Sequence, residues 1–391
     1  MEIGKFRHFL LDRGMVYFYA TFIAGYFLLP MASGHRKLYY ILVLPAVLVL
    51  WREQLALYRN NLLAWLVLAY VAYMMATLLW TSNFTPQEAL ATLGYGLAVL
   101  SFCFISGYLW TEQAQRMDHL AHRSLWLAAG AALVSIVAWY SQNPFPSSRI
   151  STLGVMHHEN KSACAYGLFL LLSVYYLFTE RGRNNKLMYG CLAMVLVALV
   201  LFTQSRTALA AVSVGLLVLI GYRAMGVLLV TTGISWALVA SNSKLWWHRV
   251  EAFSFRPGIW QQVLADMEGH WWFGHGYLLD PHVNAYDKVF DHAHNGYLAS
   301  LRDGGIIGLS LLLAILGVAA TWAWRLNKQR GERIYLALIL YAMTCIAMDY
   351  DRLLVQPKEL WLFFWLGIGL TMAAYARRDD PQQVRYHGIK S

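Results

Sequence analysis

Residues 291–308 read DHAHNGYLASLRDGGIIG and mark the point where a long polar segment gives way to an apolar helix. His294 and Asn295 stand at this junction, and Gly305 and Gly308 follow inside the apolar run. No charged residue occurs from 304 to 324, a stretch of the length that crosses a membrane as a helix. The pattern therefore predicts a titratable side chain at the mouth of a membrane helix.

The composition is typical of an integral membrane protein. Hydrophobic residues make up 59% of the 391 positions and charged residues 13%, whereas a soluble domain carries about 25% charged residues. We therefore predict an all-α polytopic membrane protein that forms a single integral membrane domain over residues 1–391. The net charge of +10 suits anionic lipids or phosphate-bearing substrates, and no nucleic-acid-binding module is present.

Apolar runs of spanning length predict about twelve transmembrane helices. They lie near residues 14–34, 36–51, 62–80, 88–110, 125–141, 162–179, 187–204, 207–222, 224–241, 304–324, 334–349 and 359–376. With both termini in the cytoplasm, nineteen Lys and Arg fall in inside segments and seven in the short outside loops. This asymmetry follows the positive-inside rule and supports the proposed orientation.

One large extramembrane segment, residues 242–303, connects the ninth and tenth predicted spans and would face the outside. It is rich in Trp and His and is too apolar for a linker. We expect short helices lying partly on the membrane surface. Residues 258–267 carry apolar side chains at helical spacing, which predicts one of these helices.

Two arginines stand out in the sequence as candidate anion ligands. Arg206 lies between two apolar runs with almost no loop, and a charge at such depth usually faces a cavity on a substrate path. Arg256 lies early in the long segment between aromatic residues. A guanidinium group presents a rigid fork of donors that matches phosphate oxygens. The alternatives are a snorkelling arginine at position 206 and a solvated loop arginine at position 256.

His294 is the candidate general base. It would precede the N-terminus of a helix, where the helix dipole favours the neutral imidazole that a base needs. Asn295 is placed to cap that helix. Gly304, Gly305 and Gly308 would let a neighbouring helix pack closely.

A metal site and a plain polar loop are the alternatives for the other polar residues. His292 and His294 lie beside Asp291, but no further ligand set accompanies them, so we predict no metal. The outside loop from Arg149 to Lys161, which includes Asn160, could line the same cavity. Asp349 and Asp351, in the last outside loop, are further candidates, and for each of these residues we favour the interpretation as a polar loop residue.

Four stretches together resemble the bacterial O-antigen ligases, within the O-antigen ligase and polymerase superfamily. The first is His294-Asn295 followed by Gly305-x-x-Gly308, and the second is the Ser-Arg-Thr-Ala-Leu run at 205–209. The third is Arg256 with Ile-Trp and Gly-His-Gly downstream, and the fourth is the loop around Asn160. They occur in the family's order over residues 150–310. Glu159 departs from the pattern, since relatives often carry Pro there.

The resemblance implies an inverting, metal-independent glycosyltransferase of the GT-C type that needs no cofactor. The donor would be O-antigen polysaccharide on undecaprenyl pyrophosphate, and the acceptor a sugar of the lipid A–core oligosaccharide. The enzyme would be a monomer in the bacterial inner membrane, with its active site on the periplasmic side. His294 would be catalytic, Arg206 and Arg256 would bind pyrophosphate, and Asn295, Gly305, Gly308, Asn160 and His292 would support them.

Three other functions remain open at this point. An O-antigen polymerase would use the same chemistry with a growing glycan as acceptor. A protein O-oligosaccharyltransferase would use a Ser or Thr side chain. A transporter of lipid-linked sugar, from a different class, should show paired halves or broken helices at matching positions, and the sequence shows none.

Overall fold

The protein is mostly helical, as predicted. A computed structural model describes residues 2–82, 84–145, 148–224 and 255–377, together with residues 226, 230, 233 and 234. In these ranges six helices are long and apolar enough to span a membrane, and a bent pair, Ala32–Val49 and Trp51–Tyr58, is a candidate seventh. The six are Leu62–Leu79, Pro86–Glu112, Ala114–Tyr140, Glu159–Thr179, Arg183–Thr203 and Gly296–Arg330.

Shorter helical segments complete the described chain. They are Glu2–Phe9, Leu10–Gly14, Met15–Leu28, Arg206–Ile220, Arg333–Asp349, Trp361–Trp365 and Leu366–Ala376. Eleven of the predicted spans coincide with described helical segments, whereas the ninth, 224–241, lies largely outside the described residues. The count of twelve spans therefore stays a prediction.

The helix Gly296–Arg330 packs against Leu62–Ala76 and against Arg333–Asp349. Small residues allow the close approach of Leu62–Ala76. A Cβ atom at Gly304 or Gly308 would lie 2.7 or 3.2 Å from the sulfur of Met74. Tyr73 also donates a hydrogen bond from its hydroxyl to the carbonyl of Gly304, at 2.8 Å. These two glycines do allow a neighbouring helix to approach closely, as the sequence predicts.

Gly305 has a different role from the one predicted. Its backbone, with φ 65° and ψ −165°, breaks the helix Gly296–Arg330 between two and three turns after its start. A Cβ atom there would lie 2.3 Å from the backbone of Trp272, which belongs to a loop rather than to a neighbouring helix. The prediction for Gly305 was wrong because spacing alone does not distinguish a packing glycine from one that needs a positive φ. We call Gly296–Arg330 the broken helix.

The loop 271–276 supplies the hydrogen bonds that the break removes. The amide of His275 donates to the carbonyl of Arg302 at 2.8 Å, and that of Gly276 donates to Asp303 at 3.0 Å. In the other direction, the amide of Ile306 donates to the carbonyl of Trp271 at 2.8 Å. Buried backbone groups need partners, and at membrane depth non-helical backbone is tolerated only where protein covers it.

Between residues 255 and 295 the chain contains a helix and a hairpin. Residues 255–265 are helical, and Ile259 and Val263 are buried, as the apolar spacing predicts. A two-stranded hairpin, Val283–Ala285 with Lys288–Phe290, was not predicted. Its two turn residues, Tyr286 and Asp287, both have positive φ, which gives the strand twist that a two-residue turn requires. The sequence lacks the usual Asn-Gly or Asp-Gly signal there.

The junction with the broken helix also differs from the prediction. The helix begins at Gly296, eight residues before the predicted span at 304–324. The first two turns carry Arg302 and Asp303, and their charges made the sequence read as loop. Both side chains are buried and paired, so these turns are helical inside the protein.

We expect Gly305→Ala to destabilise the protein, because the substituted residue would hold a positive φ and would overlap the backbone of Trp272. Strain of this kind costs about 1–3 kcal/mol before any overlap is counted. The control is Gly317→Ala in the same helix, where no atom lies within 4 Å of the added Cβ. Thermal unfolding of the purified variants in detergent measures the effect. Equal unfolding temperatures for the two variants would contradict this account of the break.

Candidate functional site

His294 lies in a short connection that is fixed on both sides. Its φ of 49° is unusual for a residue with a side chain. Asn295 follows as the N-cap of the broken helix, and its side chain accepts from the amides of Tyr297 at 3.0 Å and Leu298 at 3.2 Å. Trp260 donates from its indole to the carbonyl of residue 293 at 3.1 Å. The predicted capping by Asn295 is therefore present in the structure.

Asp349 is the direct partner of His294. Its Oδ1 atom lies 2.9 Å from Nδ1 of His294, and its side chain is 7% exposed against 29% for the histidine. Asp349 is the last residue of the helix Arg333–Asp349, so its interpretation as a plain loop residue was wrong. A carboxylate accepts the Nδ1 proton, which leaves Nε2 of a neutral imidazole free to accept another proton.

His292 stabilises the same connection. Its Nδ1 atom accepts the backbone amide of His294 at 3.0 Å, and the two rings are 4.1 Å apart. Burial, together with the nearby charge of His294, lowers the pKa of His292 to about 3. The ring is thus neutral, and its Nδ1 atom accepts the hydrogen bond from the backbone amide of His294. The structure brings His292 to the site as an orienting group.

Arg149 is a basic residue of the site that the sequence did not single out. Its Nε donates to the carbonyl of Thr203 at 3.0 Å, and its Nη2 donates to Oδ1 of Asn160 at 2.8 Å. Burial lowers the pKa of this guanidinium. The predicted supporting residue Asn160 thus contacts Arg149. Nothing in the spacing of the two residues indicates this bond, which depends on how the loop folds back.

Arg206 is positioned by a tight turn between two helices. Gln204 ends Arg183–Thr203 in the left-handed conformation, with φ 52°, and Ser205 caps the next helix. Arg206 is the first residue of that helix and is exposed. The amide of Ile150 donates to the carbonyl of Phe202 at 3.1 Å, which joins the Arg149 loop to the same turn.

Three arginines interact electrostatically with Asp349. The charges of Arg256 and Arg149 repel that of Arg206, while Asp349 attracts it. Asp349 also interacts electrostatically with Arg149 and with Arg256, which lies on the helix 255–265. We call Arg149, Arg206 and Arg256 the arginine cluster. Asp349 connects the arginine cluster electrostatically with His294, so residues from five separate elements of the chain contribute to one positively charged site.

A buried set of four charged residues connects the two elements that carry His294 and Asp349. Arg302 donates from Nε to Asp303 at 3.0 Å and from Nη2 to Asp351 at 3.2 Å. Arg352 donates from Nε to the other oxygen of Asp303 at 2.6 Å. The side chains of Arg302 and Asp303 are 4% and 1% exposed. We call these four residues the ion-pair quartet. The sequence favours a loop role for Asp351 and does not indicate the other three residues.

The described residues contain no group of three or more His, Cys, Asp or Glu side chains arranged to hold a metal ion. Around His294, the nearest acidic group is committed to the imidazole. The prediction of a metal-independent site stays a prediction.

Comparison with known proteins shows which described proteins this chain resembles. Residues 168–313 match the family model described as O-antigen ligase. A protein named O-antigen ligase from Pseudomonas aeruginosa is 28% identical over 382 residues, which cover 95% of this chain and 92% of that protein. The family match includes Arg206, Arg256 and His294, whereas Arg149 and Asp349 lie outside it.

The helices and these matches define a membrane enzyme of the glycosyltransferase type. Within that class, both matches are to proteins described as O-antigen ligases. The resemblance predicted from the four sequence stretches is confirmed.

Asp349→Asn is expected to lower the transfer rate by about 10²–10⁴-fold. The amide can donate to Nδ1 of His294 and so select the tautomer in which Nε2 already carries a proton. The control is Asp280→Asn, which alters an exposed Asp–His pair with His282. Initial rates with purified donor and acceptor measure both variants. Equal rates for Asp349→Asn and the unchanged enzyme would remove Asp349 from the site.

Proposed function

We propose that the protein transfers O-antigen polysaccharide from undecaprenyl pyrophosphate to a sugar hydroxyl of the lipid A–core oligosaccharide. The observation that carries this proposal is the arginine cluster beside the His294–Asp349 pair. The similarity to an O-antigen ligase supports the choice of donor and acceptor. The reaction belongs to lipopolysaccharide biosynthesis.

In the proposed reaction, His294 acts as general base. Nε2 accepts the proton of the acceptor hydroxyl as that oxygen attacks the anomeric carbon of the donor sugar. Asp349 holds the ring in the correct tautomer and stabilises the imidazolium that forms. The bond between the anomeric carbon and the phosphate oxygen breaks on the opposite face. The new glycosidic bond therefore has inverted configuration.

The arginine cluster stabilises the leaving group. Negative charge builds on the pyrophosphate as the sugar departs, and fixed cationic donors stabilise it most effectively where water is scarce. Arg149 is held by Thr203 and Asn160 before any ligand arrives, so little reorganisation is needed. We propose that these guanidinium groups supply the positive charge in place of a metal ion. The fork of each group suits phosphate oxygens.

The proposed topology follows from the loop charges and the helices. We propose about twelve spans, both termini in the cytoplasm and residues 242–303 on the periplasmic side of the inner membrane. The arginine cluster and His294 would then face the leaflet that holds both lipid-linked substrates. The enzyme is proposed to act as a monomer.

Two related activities use the same chemistry with a different acceptor. An O-antigen polymerase would extend a glycan, and a protein O-oligosaccharyltransferase would modify Ser or Thr. The similarity over 92% of an O-antigen ligase favours lipid A–core as the acceptor. A transporter of lipid-linked sugar would not need a histidine–aspartate pair next to the anion site.

Deletion of the gene is expected to leave the lipid A–core intact and free of O-antigen, while O-antigen on undecaprenyl pyrophosphate accumulates. Gel analysis of lipopolysaccharide and extraction of lipid-linked glycans measure the two pools. The unchanged chain should restore ligation, and a His294→Ala chain should not. Single repeat units on the core would instead identify a polymerase, and a normal lipopolysaccharide profile would contradict both.

His294→Gln is expected to transfer as poorly as His294→Ala, with a loss of about 10²–10⁴-fold. The rate of the unchanged enzyme should fall at acidic pH, because imidazolium cannot accept a proton. Burial lowers the pKa of His292 to about 3, so protonation of His292 does not cause this fall. Initial rates across pH test this, with exposed His282→Gln as control. A His294→Gln enzyme that keeps its rate would reduce His294 to a positioning role.

Lysine in place of Arg206 or Arg256 is expected to slow transfer substantially, because it keeps the charge and loses the donor fork. Alanine should cost about 10²–10³-fold, the usual effect of removing a group that stabilises developing negative charge. The control is Arg325→Lys, an exposed arginine near the other end of the broken helix. The same rate assay applies. Unchanged rates for both alanine variants would remove the arginines from donor binding.

A further inference from the structure

Three consecutive aromatic residues are exposed beside the break in the helix. The exposed fractions are 43% for Trp271, 66% for Trp272 and 58% for Phe273. Trp80 is 40% exposed, and its ring centroid lies 6.2 Å from that of Phe273. We call Trp271, Trp272 and Phe273 the aromatic loop. A continuous exposed apolar patch of this kind marks a surface that contacts something other than water.

The backbone holds the aromatic loop in one position. The carbonyls of Trp271 and Trp272 accept from the amides of Ile306 and Ile307, at 2.8 and 3.5 Å. Gly274 then turns with φ 70° so close to the broken helix that a Cβ atom would lie 2.5 Å from the amide of Gly305. The backbone of the loop therefore cannot move away from the broken helix without breaking the bonds that repair that helix.

The loop lies level with the boundary between charged and apolar sequence in the broken helix. Arg302 and Asp303 precede the break, and no charged residue occurs from Ile306 to Trp324. Ile306 is bonded directly to the loop and is itself 37% exposed. In a membrane-spanning helix, such a boundary coincides with the edge of the hydrocarbon.

A second candidate span ends at the same place. The helical stretch Leu62–Leu79 finishes at Leu79, which is 87% exposed, and Trp80 follows it against Phe273. Tryptophan concentrates at membrane interfaces, where its ring lies among the lipid chains and its N–H reaches polar groups. Within the described residues, the indole N–H groups of Trp271 and Trp272 have no protein acceptor, which leaves them available to lipid headgroups.

We propose that the aromatic loop lies in the bilayer interface and anchors the extramembrane segment that carries Arg256 to the lipid. One loop thus contacts the broken helix through its backbone and the bilayer through its rings. The position of the segment relative to the membrane surface is then fixed at two kinds of contact, one protein and one lipid. This inference concerns membrane docking and does not depend on the transfer reaction.

The test measures the depth of nitroxide labels in the full chain, reconstituted as one copy per nanodisc of synthetic phospholipid. Cys191 is the exposed cysteine among the described residues, so Cys191→Ser provides the background. Labels go to Trp272→Cys, to Leu313→Cys on the exposed face of the broken helix, and to Asn284→Cys in the exposed hairpin. Leu313 serves as the lipid reference and Asn284 as the aqueous reference.

Contact with oxygen, which enters lipid, is compared with contact with a water-soluble nickel complex by power saturation. We expect the oxygen-to-nickel ratio at position 272 to exceed that at 284 several-fold and to fall below that at 313. A ratio at 272 equal to that at 284 would overturn the proposal and leave the patch for a second copy or another partner. Low access to both reagents would also overturn it, because the rings would then be covered by protein.

A second label at Phe273→Cys guards against an effect of losing Trp272. Both labelled variants should unfold at the temperature of the background chain, since the loop is held through its backbone. If the oxygen-to-nickel ratio is interfacial at position 273 and aqueous at position 272, the proposed anchoring by the whole loop is wrong. One copy per disc excludes a second copy of the chain, and synthetic phospholipid excludes a polyprenyl substrate, as the cause of a lipid-like signal.

Discussion

The exchange of backbone hydrogen bonds at Gly305 is the constraint on which the rest of this site depends. A break inside a membrane helix frees amides and carbonyls that lipid cannot satisfy. Here the loop 271–276 supplies hydrogen-bond partners for these groups, and the hydroxyl of Tyr73 donates to the carbonyl of Gly304. Because the loop must reach the break, the end of the extramembrane segment is fixed to the helix that begins just after His294. The break therefore holds part of the long connection before His294 in a defined position relative to the site.

The ion-pair quartet closes the same arrangement from the other side. Arg302 and Asp303 belong to the helix that follows His294, while Asp351 and Arg352 follow Asp349 by two and three residues. Buried ion pairs bring little net stability, because desolvation offsets their attraction, but removing one partner leaves a buried charge unpaired. The quartet thus penalises any movement of the Asp349 segment away from the broken helix. The 2.9 Å contact between His294 and Asp349 lies inside this frame.

Sequence patterns predicted the helices, the capping of Asn295 and the residues that share the family's motifs, because each of these depends on local spacing or on hydrophobicity. They failed where a long-range contact decides the outcome. Asp349 and Asp351 looked like loop residues since their partners, His294 and Arg302, lie about fifty positions earlier in the chain. The role of Arg149 was missed for the same reason, whereas the hairpin was missed because its turn lacks the usual sequence signal. Gly305 was assigned to packing because glycine spacing carries no information about the sign of φ.

The charge balance of the site argues for its ligand. The charges of Arg149 and Arg256 repel that of Arg206. Asp349 attracts all three arginines and is already bonded to His294, and Glu159 also attracts Arg149. Holding like charges together destabilises the folded protein, and an anion that binds among them relieves this cost. A doubly charged pyrophosphate relieves more of it than a singly charged group does. In the proposed reaction the leaving group gains charge as the sugar departs, so the same repulsion favours the transition state over the bound donor.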